Sequence, residues 1–135
     1  MIPKLQTLPL YIPLFALLFA ALSVRTLRLR RALKIGIGDG GNPIMLRAMR
    51  VHGNFAEYVP ICLLLLLAIE LQGGSVALLH ALCAAVFIGR LSHAFGVSYI
   101  KEDYRFRVFG MVMTLTTIVV GSLYLLALYF RQVVA

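Results

Sequence analysis

Two stretches of this chain run for twenty residues or more without a charge, and nothing else in it restricts the fold so tightly. Leu5 to Val24 holds 20 uncharged residues and Val108 to Phe130 holds 23. A helix rises about 1.5 Å per residue, so about 20 residues cross the ~30 Å hydrocarbon core of a bilayer. Two further apolar stretches lie between them. One begins near Ile44 after a turn-rich Gly36-Ile37-Gly38-Asp39-Gly40-Gly41-Asn42-Pro43 loop. The other follows the tight turn Gly73-Gly74-Ser75. The pattern predicts an all-α integral membrane protein, a four-helix up-down bundle forming a single domain, with helices at about 5–27, 44–71, 76–99 and 108–130.

Composition agrees. Charged residues make up only 13% of the 135-residue chain, and mean hydropathy is +0.94. A water-soluble domain carries roughly a quarter of its residues as Asp, Glu, Lys or Arg, so the missing polar coat implies a lipid surround. The formal charge of +8 could point to nucleic acid. However, the basic residues flank the apolar spans and Trp is absent, so nucleic acid is not an expected partner. The first span is followed by Arg25 and a basic cluster, not by a small-residue cleavage site, and reads as a retained helix. Cys62 and Cys83 lie inside apolar runs, without metal-site spacing, and read as small packing residues. No metal site is expected.

Lysine and arginine crowd the first and third connections, while the second has neither. The positive-inside rule places the first and third loops in the cytoplasm and both termini outside it.

Several charges lie too deep to be anchors. Counting inward from Glu70, Glu57 lies 13 residues back, about 20 Å along the second helix. Counting from Ser75, Arg90 and His93 fall about 22 and 27 Å along the third. Asn54, Glu57, Arg90 and His93 therefore share one layer. An ionised group at such depth costs a few kcal/mol unless it faces the interior and finds partners. At about 100° per residue, Arg50, Gly53, Asn54 and Glu57 share a face, as do Arg90, His93 and Val97. A purely structural Glu57–Arg90 ion pair would explain part of the pattern, and topological anchoring would explain the run Arg25 to Lys34. His52 points away from the shared face and reads as a packing residue or the holder of an interfacial hydrogen bond.

A tier of arginines with an asparagine and a glutamate suits a small, multiply charged, soluble ligand. Guanidinium forks bind carboxylates, a glutamate holds an ammonium, and an arginine at a helix start stabilises a thiolate. No Ser-His-Asp set, HExxH or phosphate-binding glycine loop is present.

The segment Arg50-Val51-His52-Gly53-Asn54-Phe55-Ala56-Glu57-Tyr58-Val59-Pro60 resembles the second-helix signature of the MAPEG family, the membrane-associated proteins in eicosanoid and glutathione metabolism. Gly89-Arg90-Leu91-Ser92-His93 resembles the matching third-helix motif, and the basic end of the first helix and Arg107 also have counterparts. The likeness spans about Leu8 to Phe130, and the chain resembles a bacterial-like member. It implies a homotrimer in a bacterial inner membrane, with glutathione bound between subunits near the cytoplasmic face. Carried over by position, Arg50, Asn54 and Glu57 would hold glutathione, with Arg28 or Arg30 on a carboxylate and Arg90 and His93 lining or buttressing the pocket. Arg107 would stabilise the thiolate and so be the catalytic residue. The sequence departs from the pattern at three places. Gly53 replaces a glutathione-contacting arginine of one eicosanoid synthase, and Val97 and Met111 stand where tyrosines are usual.

The resemblance implies a glutathione-dependent transferase or peroxidase acting on a lipophilic small molecule that enters from the membrane lipid. A non-catalytic binding or scaffold protein on the same frame is the alternative. A small four-helix multidrug transporter is disfavoured, because such proteins carry an acid in the first span and Leu5 to Val24 has none.

Overall fold

The computed structural model describes residues 5–134, and among these the regular structure is entirely helical. Four helices follow in order: α1 (Leu8–Leu33), α2 (Pro43–Leu71), α3 (Val76–Ser98) and α4 (Tyr104–Val134). Each is long and apolar enough to cross a membrane.

Local chemistry sets the helix starts. Pro43 occupies the first turn of α2, where its missing N–H removes nothing, and the Asn42 side chain accepts from Ile44 N and Met45 N at 2.9 and 3.1 Å. Ser75 Oγ caps α3 through Leu78 N. Asp103 Oδ1 accepts from Arg105 N at 3.0 Å, which starts α4 at Tyr104, not at Val108. Arg105 and Arg107 are therefore helical residues, not part of a charged loop. At the other end, α1 continues six residues past the expected boundary at 27, through the basic run. Arg30 and Arg31 in its last turn complement the negative end of the helix dipole.

α1 lacks a side-chain cap of its own. Glu70, near the end of α2, supplies it: the backbone N–H groups of Gln6, Thr7 and Leu8 donate to the two carboxylate oxygens at 2.7, 2.5 and 3.0 Å. A negative group there also meets the positive end of the α1 dipole. Glu70→Ala should destabilise the protein by about 2 kcal/mol, because the buried donors of Thr7 and Leu8 and the part-buried donor of Gln6 lose their acceptor. Thermal melting in detergent reads this out, and an unchanged melting temperature would remove the cap from the account.

The contacts fix alternating helix directions. Glu70 joins the end of α2 to the start of α1. The Tyr124 hydroxyl, late in α4, accepts from Ser75 N at the start of α3. α2 packs against all three other helices, the α3–α4 pairing is the most extensive, and α1 and α4 do not meet. The core forms two apolar clusters. One centres on Phe15, Phe55, Cys62 and Val86, the other on Leu8, Leu66, Leu79 and Cys83. Both cysteines are buried free thiols.

α3 and α4 approach closely through glycine. A Cβ on Gly89 would lie 2.9 Å from Met113 Cβ and 3.0 Å from Gly110 O, and one on Gly110 would strike Gly89 O and His93. Small residues at the crossing let two backbones touch, which is how helices associate in lipid. This contact sets the position of Arg107, three residues before Gly110.

Candidate functional site

At the end where α1 and α3 finish and α2 and α4 begin, a cleft of about 500 Å³ opens between α2, α3 and α4. Small-molecule sites span roughly 300–1,000 Å³. Its α2 wall is a single stripe, Arg47, Arg50, Asn54 and Tyr58, spaced three, four and four residues apart and so stacked on one helix face. His93 and Val97 come from α3, Arg107 and Met111 from α4, and Glu102 from the connection between them.

Behind Asn54, Tyr58 and Met111 lies Arg90, only 2% exposed although it is charged. Its guanidinium donates to Asn54 Oδ1 and, at 2.9 Å, to Gly110 O, and it lies 3.6 Å from Met111 Sδ. Its carbon sits 5.7 Å from the Tyr58 ring centre, within cation–π range. Arg90 Nε has no hydrogen-bond partner. Among the described residues no acid pairs with Arg90, so an amide, a carbonyl and an aromatic face carry its solvation. With its oxygen engaged by Arg90, Asn54 turns its amide nitrogen toward Met111 Sδ, 3.9 Å away.

At the mouth, Glu102 is the one carboxylate lining the cleft among the described residues. Its side chain is 5% exposed; Oε2 accepts from Arg47 at 3.0 Å and Oε1 lies 3.6 Å from Arg107. Arg47 also donates to Val97 O and Ile100 O. Arg50 lines the cleft, is exposed, and has no ion pair among the described residues.

The cleft thus brings together four of the expected residues, Arg50, Asn54, His93 and Arg107, with Arg90 as the buttress behind them. Three others lie elsewhere. Glu57 is exposed beside the stripe, with Oε1 3.8 Å from where a Cβ on Gly53 would stand, and it does not pair with Arg90. Asn54, one turn closer to the Arg90 side, takes that position instead. Arg28 is exposed in a separate groove on α1, beside Ala20 and Ala21. Arg30 holds the carbonyls of Gly36 and Gly38 at 3.3 and 3.0 Å, fastening the first connection onto the end of α1.

Three polar cleft residues, Arg47, Tyr58 and Glu102, escaped the sequence reading. Arg47 lies three residues before Arg50 on the same helix face, a spacing that was a usable signal; Tyr58, four residues after Asn54, carried the same signal. Glu102 left no sequence signal, because it reaches the cleft only when α3 and α4 close on each other. Gly53 faces open space toward Glu57, so Gly53→Ala should leave the melting temperature unchanged or raise it by helix propensity, worth up to about 1 kcal/mol. A marked fall in melting temperature would show that this face is packed.

Three arginines against one carboxylate leave the cleft with excess positive charge, and with amide and phenol groups below. Such a set suits a ligand bearing more than one carboxylate and a further polar group. Residues 8–129 match the MAPEG family. The chain is also similar to the inner membrane protein YecN of Escherichia coli strain K12, and to that of Escherichia coli O6:H1, strain CFT073. Each is 36% identical over 105 residues, covering 78% of this chain and 79% of the relative.

Proposed function

The chain belongs to the MAPEG family, and from that premise we propose that it is a glutathione-dependent transferase or peroxidase of the bacterial inner membrane. The observation that carries the reading is the arginine cleft beside a buried, amide-solvated Arg90. Its donor set fits glutathione, which has two carboxylates, and which supplies a thiol nucleophile when bound. Arg50 takes a carboxylate, Asn54 and Tyr58 offer polar contacts along the same stripe, and Arg107 at the start of α4 stabilises a thiolate. The positive end of the α4 dipole adds to the Arg107 charge. Arg90 and His93 hold the wall in place. A lipophilic electrophile reaches the thiolate laterally from the lipid.

Glu57 and Arg28 support assembly as a homotrimer. Glu57 is charged and lies on an exposed face of a membrane-spanning helix, where a charge needs a partner within protein, and Arg28 lies exposed at the basic end of α1. A neighbouring subunit supplies that partner and completes the glutathione site between subunits. With the basic first connection in the cytoplasm, both termini lie outside it and the cleft opens to cytoplasmic glutathione.

Isothermal titration of detergent-solubilised protein with glutathione tests the reading. Wild type should bind at millimolar or tighter Kd, and Arg50→Ala should weaken binding about tenfold, as expected for a lost charge-assisted hydrogen bond. Equal affinities would take Arg50 out of the site.

One observation favours a second reading, binding without turnover: Arg107 already faces an acid, Glu102. That reading predicts glutathione binding with no reaction toward chlorodinitrobenzene or lipid hydroperoxides.

A further inference from the structure

The two arginines that flank Glu102 are held very differently. Arg47 is fixed by three acceptors, Glu102 Oε2 at 3.0 Å, Val97 O at 3.1 Å and Ile100 O at 3.4 Å. Arg107 reaches only Glu102 Oε1, at 3.6 Å, beyond hydrogen-bond length, and half of its side chain is exposed. That same oxygen is buried without a hydrogen-bond partner. Arg47 is therefore part of the wall, whereas Arg107 is loosely paired and free to swing.

The geometry points to Glu102 as a resident counter-anion for Arg107, one that an incoming ligand must displace. Glu102 thereby determines specificity. A ligand with a single negative group exchanges one ion pair for another at Arg107 and gains little. A ligand whose second negative group reaches Arg50, which has no ion pair among the described residues, gains a contact that Glu102 cannot provide. The cleft accordingly selects ligands with several anionic groups. The inference rests on the glutathione reading only for the identity of the ligand.

Glu102→Gln separates competition from scaffolding, because the two roles predict opposite signs. Glutamine keeps the shape, and its amide oxygen still accepts from Arg47, while its amide nitrogen offers Arg107 no ion pair. Isothermal titration with glutathione, and separately with inorganic sulfate, should show binding about two- to fivefold tighter in Glu102→Gln, the size of a part-exposed ion pair. In an Arg107→Gln background the same substitution should give no gain. Should Glu102→Gln elute as aggregate on size exclusion, Glu102→Ala carries the test, since Arg47 keeps its two carbonyl partners. Unchanged or weaker binding of both probes, or a gain that persists without Arg107, overturns the inference. A sulfate gain with no glutathione binding retires the glutathione reading and leaves the counter-anion role standing. No binding of either probe by any variant overturns both.

Discussion

Replacing Gly110 by alanine should destabilise the bundle by about 3 kcal/mol, at the upper end for overpacking, because the atoms in the way are backbone. The added methyl would meet Gly89 O, and it would lie 2.9 Å from His93 N and 2.7 Å from His93 Cβ. A flexible side-chain tip could rotate aside, but a helix backbone cannot, so α3 and α4 must separate. Thermal melting in detergent should show a large fall for Gly110→Ala and none for Gly53→Ala, where the nearest atom is 3.8 Å away. The displacement should also carry Arg107 and Met111 away from Asn54, so ligand affinity should fall with stability. Wild-type melting in Gly110→Ala would mean that the helices cross elsewhere.

The second large effect is expected at Arg90. Truncation to alanine removes a large side chain that is 2% exposed and leaves Asn54 Oδ1 and Gly110 O without their guanidinium donor. Two terms oppose each other. Removing a charge from the membrane interior recovers about 2.5–3.5 kcal/mol on insertion scales. Emptying the space costs about 2–5 kcal/mol, and each orphaned acceptor adds about 1–3. The losses exceed the recovery, and Arg90→Ala should be destabilised by about 3 kcal/mol. Arg90→Met separates volume from charge: it refills the space and should melt close to wild type. It should nevertheless bind ligand more weakly, because Asn54 is no longer oriented. If Arg90→Met bound ligand like wild type, Arg90 would be a packing residue alone.

Helix number and order were legible because uncharged length is a property of the chain alone. The ends were less so. α1 extends through Leu33 because arginine and lysine are good helix formers and favour a helix C-terminus, although they mark the end of a hydropathy window. α4 begins at Tyr104 because Asp103 caps it, a signal hidden inside a charged run. In α2, helical phase groups Arg50, Gly53, Asn54 and Glu57 on one face. The cleft face is instead Arg47, Arg50, Asn54 and Tyr58. The carboxylate in the cleft is Glu102, brought in only when α3 and α4 close on each other. Arg30 donates from one guanidinium nitrogen to the Gly36 and Gly38 carbonyls, a loop contact that exists only once the chain has folded.

A structure of the membrane-embedded protein determined with glutathione bears most directly on the claim that the arginine cleft is a ligand site. Density for the tripeptide should lie against Arg50 and Arg107 beside Asn54, with Arg107 turned away from Glu102. Glutathione seated elsewhere, or a cleft left vacant at saturating ligand with the Arg107–Glu102 pair intact, would contradict it.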